Sequence, residues 1–334
     1  MAPLKGLERN YPLIDSNFQK FCATHGIFTL EDFLVHDIYL LAALAERDYA
    51  SDKLKQGITQ ILTILDCQSR PCINGLELLK DAENNKCVLS TGCERIDALL
   101  QGGLRGGHVT EIVGPSSSGK TQFCLQAASN VARQYSGRVM YFDSGNSFSP
   151  KRIAQFLHSS DRPSTKASEV SKKIMSNILH HSIFDIFTLL DMLHQLVTNL
   201  KTQVDYQVRI LIIDSLSSLI APVLGGGGVH GHGLMVSAGF LLKELAHEHN
   251  LSILVTNHMV AGEAGMSKPA LGESWKNIPH VRLMLSRRHG TNVSSISLLK
   301  HTYLESRIQF SFIQLCLVAQ DLEAHHKRSI VADM

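Results

Sequence analysis

Residues 109 to 121 read Val-Thr-Glu-Ile-Val-Gly-Pro-Ser-Ser-Ser-Gly-Lys-Thr, and they constrain the fold more than any other stretch. An apolar run breaks at Gly114, a turn of small residues follows, and Lys120-Thr121 opens a helix-forming segment. Strand, Gly-rich turn and helix start form the context that the GxxxxGK[ST] pattern requires. In that pattern Gly114, Pro115, Ser116, Ser117, Ser118 and Gly119 make a turn whose backbone N–H groups cradle phosphate oxygens, and the positive end of the helix adds to the attraction. Lys120 reaches the β- and γ-phosphates and Thr121 offers its hydroxyl to Mg²⁺. The residues therefore imply ATP and Mg²⁺. The plain alternative is a tight strand-to-helix turn with no ligand.

Arg209-Ile-Leu-Ile-Ile-Asp214-Ser215 is the second informative stretch. Consecutive aliphatics ending in Asp describe a central parallel strand that delivers a carboxylate to its C-terminal edge, where ligands sit in open α/β sheets. Asp214 becomes the Mg²⁺ partner of Thr121, directly or through water. Val139–Asp143, Ile178–His181 and Leu251–Thr256 read as further strands, separated by helical patterns in which Asp185 caps a helix with Ile186, Leu189, Leu190, Leu193, Leu196 and Val197 on one face. Val281–Leu285 and Ile296–Lys300 close the sheet as a hairpin. The fold class is α/β: an ATPase-type core, 89–305, around a central, mostly parallel sheet.

Ahead of it, residues 1–65 form a small helical bundle. Thr29-Leu-Glu-Asp32 starts a helix in capping-box style, followed by Phe33, Leu34, Tyr39 and Leu40, and Leu54, Ile58, Ile61, Leu62 and Leu65 share a face. Such bundles serve nucleic-acid binding or protein contact. The few basic residues, Lys20, Arg47, Lys53 and Lys55, favour protein contact. Residues 66–88, broken by Pro71 and Gly75, read as a linker with a helical piece at Leu76–Leu79. Residues 159–172, 222–233 and 259–273 read as loops, and 306–334 as a tail whose Arg307–Leu315 alternates like a strand.

Composition excludes some classes. A net charge of +2 gives no global basic field, so nucleic-acid contact falls to local loops. The seven cysteines show no zinc spacing and fit a reducing compartment. The 17 histidines read as solvated or packed. No apolar run is long enough to span a membrane and the first residues lack a signal-peptide core.

Ser90-Thr-Gly92, the phosphate loop, Leu211-Ile-Ile-Asp214-Ser215 and Thr256-Asn-His258 together resemble RecA-type recombination ATPases. More narrowly they resemble the eukaryotic recombinase paralogues, of the D type in its plant form on Leu216–Leu224 with Gly225-Gly226 and on Lys268–Lys276. The resemblance implies ATP at the junction between neighbouring subunits. It implies a sensor at Asn257 and His258, the latter titrating near neutral pH, and DNA-facing loops carrying Gly225, Gly226, Gly227, Gly228 and Lys268. Family members that hydrolyse ATP follow the strand ending at Asp143 with a water-orienting Glu. Gly145 holds that position here, leaving Asp143 or a neighbouring subunit as the substitute and at most weak DNA-dependent ATPase activity, so no residue is assigned as catalytic. The linker also lacks the Phe-x-x-Ala plug for self-polymerisation.

By that resemblance the expected function is an ATP-binding subunit of a paralogue complex. It would assist recombinase assembly on single-stranded DNA during homologous recombination repair of double-strand breaks. Its partners would be paralogues of the B, C and X-ray cross-complementing types and, indirectly, the main recombinase, in the nucleus and away from membranes. A self-sufficient DNA-dependent ATPase and a structural bridge with an idle nucleotide site are the alternatives.

Overall fold

The computed structural model describes residues 4–8, 11–48, 51–68, 74–84, 87–135, 137–158, 165–202, 207–224, 229–262, 267–287, 294–302 and 313–315. The chain divides into two compact units, Met1–Asp81 and Ala82–Met334. The division falls inside the stretch read as linker.

The first unit holds α1 (Ser16–Thr24), α2 (Leu30–Val35), α3 (Ile38–Ala45) and α4 (Ser51–Gln68). Each of the first three starts on a side-chain cap. Asp15 accepts from the Asn17 and Phe18 N–H groups, Asp37 from those of Tyr39 and Leu40, and Thr29 and Asp32 form the reciprocal capping box. Phe18, Phe21, Cys22, Phe33, Leu54, Ile58 and Ile61 share one core. Gly57 lets α4 approach α1, because a Cβ there would lie 2.5 Å from the Phe18 ring. The sequence grouped Tyr39 and Leu40 with the apolar residues of this bundle. The Asp37 cap sets the phase of α3 so that Leu41 and Ala45 point inward, and Tyr39 is left 88% exposed. Helix α5 (Gly75–Asn84) is longer than the piece expected around Leu76–Leu79.

The second unit is built on β1 (Val88–Leu89), α6 (Glu94–Leu99), β2 (Leu104–Arg105), β3 (Val109–Gly114), α7 (Lys120–Gln134), β4 (Arg138–Asp143), α8 (Pro150–His158), α9 (Thr165–Ser176), β5 (Ile178–Ser182), α10 (Ile186–Thr202), β6 (Val208–Asp214), α11 (Leu216–Leu224), α12 (Val229–Glu248), β7 (Ser252–Ala261), β8 (Ser267–Pro269), α13 (Gly272–Lys276), β9 (Val281–Arg287), β10 (Ser294–Lys300) and β11 (Ile313–Leu315). The main sheet runs β11-β10-β9-β3-β7-β6-β4-β5, with β8 paired to β7. Strands β5, β4, β6, β7, β3 and β9 are mutually parallel, and β10 and β11 are antiparallel additions.

The apolar runs of the central strands feed two cores because side chains alternate across a strand. Ile210 and Ile212 face α7, whereas Leu211 and Ile213 face α10, α11 and α12. Leu254 of β7 takes the first face, Ile253 and Val255 the second. No helix among the described residues is long and apolar enough to cross a membrane.

Several stretches read as loops are ordered elements. Residues 165–176 form α9, where Ile174 and Met175 pack on the α7-side core, so tertiary packing outweighs the low helix propensity of serine. Most of 222–233 belongs to α11 and α12. Leu216, Leu219 and Ile220 are buried and carry α11 through Pro222. Gly231 is a packing residue, since a Cβ there would lie 2.1 Å from the Val223 carbonyl oxygen. Residues 259–273 are largely a hairpin in which Met259 pairs with Pro269 and Ala261 with Ser267. Gly225–Gly228 and all of 306–334 except 313–315 lie outside the described residues. The strand expected over Arg307–Leu315 is described only at 313–315.

At the edge where β3 begins, His108 and His280 stack with ring centroids 4.7 Å apart, and His280 Nδ1 accepts the Val109 N–H. Burial, then the neighbouring Arg105, pushes His108 down from 6.5 to about 4, and burial, then His108, does the same to His280. The unfolded chain binds more protons than the folded chain between these values, so stability rises with pH in that window. Thermal unfolding measured from pH 7 to pH 4 should show a falling midpoint below pH 6.5. His280→Asn, which keeps an acceptor near Val109, should flatten that slope.

Candidate functional site

Six parallel-strand and hairpin positions converge on one face at the C-terminal edge of the sheet. They are Tyr141, Asp214, Thr256 and His258, with Arg287 and Ser294 from the β9–β10 hairpin. All follow from the alternation that places Ile210, Ile212, Leu254, Leu283 and Leu285 toward α7. Asp214, His258, Arg287 and Ser294 border a cavity of about 350 Å³, together with Ser116, Ser117, Gly119, Lys120, Thr121 and Gln122.

The turn from β3 to α7 has the geometry of an anion cradle. Ser117 has φ 59° and Gly119 φ 108°, both left-handed, and no side chain caps the N-terminus of α7. Gly114 has no room for a side chain: a Cβ would lie 2.5 Å from the Leu285 carbonyl oxygen and 2.6 Å from Ser118 Oγ. Ser118 is buried and holds the loop to β10 by accepting Ser294 Oγ–H on its carbonyl at 3.0 Å. Its own hydroxyl is buried with no partner among the described residues. Lys120 Nζ donates to the Gly114 and Pro115 carbonyls at 2.8 and 2.9 Å. Burial holds the Lys120 ammonium below its ordinary pKa, with Asp214 opposing the shift. A buried lysine so placed, facing uncapped helix N–H groups, fits the phosphates of a nucleotide.

Asp214 is fixed by two hydroxyls. Thr256 Oγ donates to Oδ1 at 2.6 Å and Tyr141 Oη to Oδ2 at 3.1 Å. Burial, then Cys124, pushes the Tyr141 phenol far up, so it remains a donor. Asp214 and Thr121 line the same cavity and fit the two protein ligands expected for Mg²⁺, which when bound would neutralise phosphate charge.

Asn257 and His258 do not act together. Successive β7 residues point to opposite faces, and only His258 reaches the cavity. Its Nε2 lies 3.0 Å from Ser215 Oγ, which lies 2.6 Å from Ser218 Oγ on α11. The His258 N–H donates to Ser217 Oγ, and its carbonyl accepts the Ala270 N–H beside β8. His258 therefore touches the elements leading to both stretches expected to face DNA. Burial, then Lys120, lowers its pKa below the ordinary imidazole value, with Asp214 opposing the shift.

Asn257 belongs to a buried cluster beneath the opposite face. It donates to Glu111 Oε1 at 2.7 Å, Trp275 Nε1 donates to the same oxygen at 2.9 Å, and Arg282 Nε pairs with Glu111 Oε2. Glu111 and Arg282 are register partners on β3 and β9 and are 0% and 8% exposed at the side chain. The sequence reading missed this cluster. Its only sequence signal is a charge in the inward register of two apolar strands.

Gly145 is exposed, and a Cβ there would meet nothing within 4 Å. Asp143 does not aim at the cavity. Burial alone would raise its pKa, but the N–H groups of Phe148 and Gly145 outweigh that and hold the carboxyl below its usual range. Its oxygens accept those N–H groups at 2.9 and 3.0 Å. Lys268 is exposed on β8, and Gly225, Gly226, Gly227 and Gly228 lie outside the described residues.

A mostly parallel sheet with a phosphate loop after β3 and a carboxylate at the end of β6 is the arrangement of a RecA-like core. The Rad51 family pattern matches residues 83–299. The chain belongs to the Rad51 family and to its group of recombinase paralogues. It is 34% identical over 278 residues to the DNA repair protein RAD51 homolog 4 of Bos taurus, covering 82% of each chain. It is 36% identical to the Mus musculus protein of the same name, over 65% of this chain and 66% of that one. Identity to the DNA repair protein XRCC3 homolog of Arabidopsis thaliana is 27%, over 66% of this chain and 82% of that one.

Breaking the buried pair leaves a desolvated charge, which costs about 3–5 kcal/mol. Glu111→Ala should destabilise the core by that order in urea unfolding. Exposed Glu273→Ala, which removes only a surface pair with Lys276, should change it by less than about 1 kcal/mol.

Proposed function

We propose that this chain is an ATP-binding subunit of a recombinase-paralogue complex, of the D type and plant-like. In this reading it promotes homologous recombination repair of DNA double-strand breaks by helping the main recombinase assemble on single-stranded DNA in the nucleus. The observation that carries the reading is the single cavity that joins Lys120, Thr121, Asp214 and the uncapped start of α7. Gly114 to Thr121 hold the phosphates, and Thr121 and Asp214 hold Mg²⁺.

The site supports holding ATP more than hydrolysing it. Phosphoryl transfer to water needs an oriented nucleophile as well as charge stabilisation. Gly145 supplies no carboxylate, and Asp143 is engaged in its own turn. Binding free energy is available without turnover, so ATP acts by favouring one assembly state. The contacts of His258 with Ser215, Ser217 and Ala270 give bound phosphate a route to α11 and β8, and hence to Gly225–Gly228 and Lys268 as DNA-facing residues. Paralogues of the B, C and X-ray cross-complementing types are the proposed partners.

Equilibrium dialysis with MgATP tests the nucleotide reading: the wild-type chain should bind and Lys120→Ala should lose at least about tenfold in affinity, the worth of one charge-assisted contact. A pull-down from native extract should recover paralogue partners with the wild type and fewer with Lys120→Ala. Equal recovery with no ATP binding would favour a structural bridge. Gly145→Glu should fold normally, given the open space around the position, and should raise ATP turnover in the presence of single-stranded DNA.

A further inference from the structure

We propose that Arg287 is a second phosphate-binding cation of this cavity, contacting the phosphate chain of the nucleotide from the side opposite to β7. The inference rests on the nucleotide reading above and adds a specificity-determining residue to it.

Strand register places Arg287 at the height of the phosphate loop. Val113 of β3 lies beside Met284 of β9, and the Leu285 carbonyl packs against Gly114. Arg287 is two residues further along β9, about 7 Å beyond that contact at the usual rise of a strand. This is past the end of β3, where the chain has already turned into Pro115–Gly119. Alternation fixes the direction of its side chain. Leu283 and Leu285 face the α7-side core, so Arg287 shares their face and Ser286 does not. Arg287 accordingly lines the cavity together with Ser116 and Ser117.

The element that carries Arg287 is tied to the loop itself. Ser294 is the register partner of Arg287 on β10, and its hydroxyl donates to the Ser118 carbonyl at 3.0 Å in a buried bond. The hairpin base is thus anchored to the phosphate loop, and the backbone of Arg287 keeps a defined position relative to the cradle.

Charge identifies the ligand class. Lys120 and Arg287 bring two cations to a cavity in which, among the described residues, Asp214 is the only lining carboxylate, and that carboxylate already accepts two hydroxyls. His258 adds no negative charge. Cations converging on one concave space favour a polyanion, and the planar guanidinium suits phosphate oxygens. Arg287 stands at the rim, exposed, where it can meet phosphate without the desolvation cost borne by Lys120.

Isothermal titration of the full chain with MgATP and with inorganic tripolyphosphate tests this. Arg287→Ala should weaken both ligands by a similar factor, about tenfold, and Arg287→Lys should recover part of the loss. The midpoint of thermal unfolding without ligand, measured for each variant, separates loss of the phosphate contact from loss of fold. Wild-type affinity for ATP in Arg287→Ala would overturn this inference while leaving the nucleotide reading intact. Weakened ATP with unchanged tripolyphosphate would also overturn it, by moving the contact to the base or sugar. A wild-type chain that binds neither ligand would remove the nucleotide reading and this inference with it.

Discussion

The close approach of β9 to Gly114 is the contact on which the rest of the site depends. With no side chain at Gly114, the Leu285 carbonyl and the Ser118 hydroxyl occupy the space where a Cβ would stand. That contact sets the depth of the phosphate loop against the sheet. It also brings Ser294 within reach of the Ser118 carbonyl and sets Arg287 level with the cradle. Any residue larger than glycine would push backbone against backbone, which has no soft way to yield.

Beneath the loop, the charge pair of Glu111 and Arg282 crosses the same two strands on the other face. Asn257 and Trp275 supply further donors to Glu111, so its carboxylate is well satisfied in a dry interior. Such a cluster stabilises little compared with an apolar core but favours one pairing of β3, β7 and β9 over shifted alternatives. The register of those three strands is what sets Gly114 level with His258 and brings the Leu285 carbonyl against Gly114. Specification of register below the sheet and placement of chemistry above it are two consequences of one strand order.

Much of the site could be read directly from the chain. The phosphate loop and Asp214 are local or nearly local patterns, and the capping box at Thr29 and the Asp185 cap are equally plain, whereas the carboxylate missing at Gly145 shows only against the family resemblance. The misread loops share one cause. Serine, glycine and proline mark turns only when no tertiary contact competes. Packing of the partly buried Ile174 and Met175 on the core makes a helix of 165–176, and close packing of α12 on Val223 explains Gly231. The burial beside Lys120 that lowers the His258 pKa is invisible in the sequence.

Sequence by itself determined the class of this protein: an apolar strand, a glycine turn and Lys120-Thr121 leave few folds open, because few backbones can aim successive N–H groups at one anion. Tertiary structure alone decided which distant residues complete the cavity. Thr256 and Tyr141 reach Asp214, Ser215 reaches His258, and Arg287 joins Lys120 only because parallel pairing sets strands side by side that are far apart in the chain. It also separated Asn257 from His258, neighbours in sequence that a pleated strand sends to opposite faces.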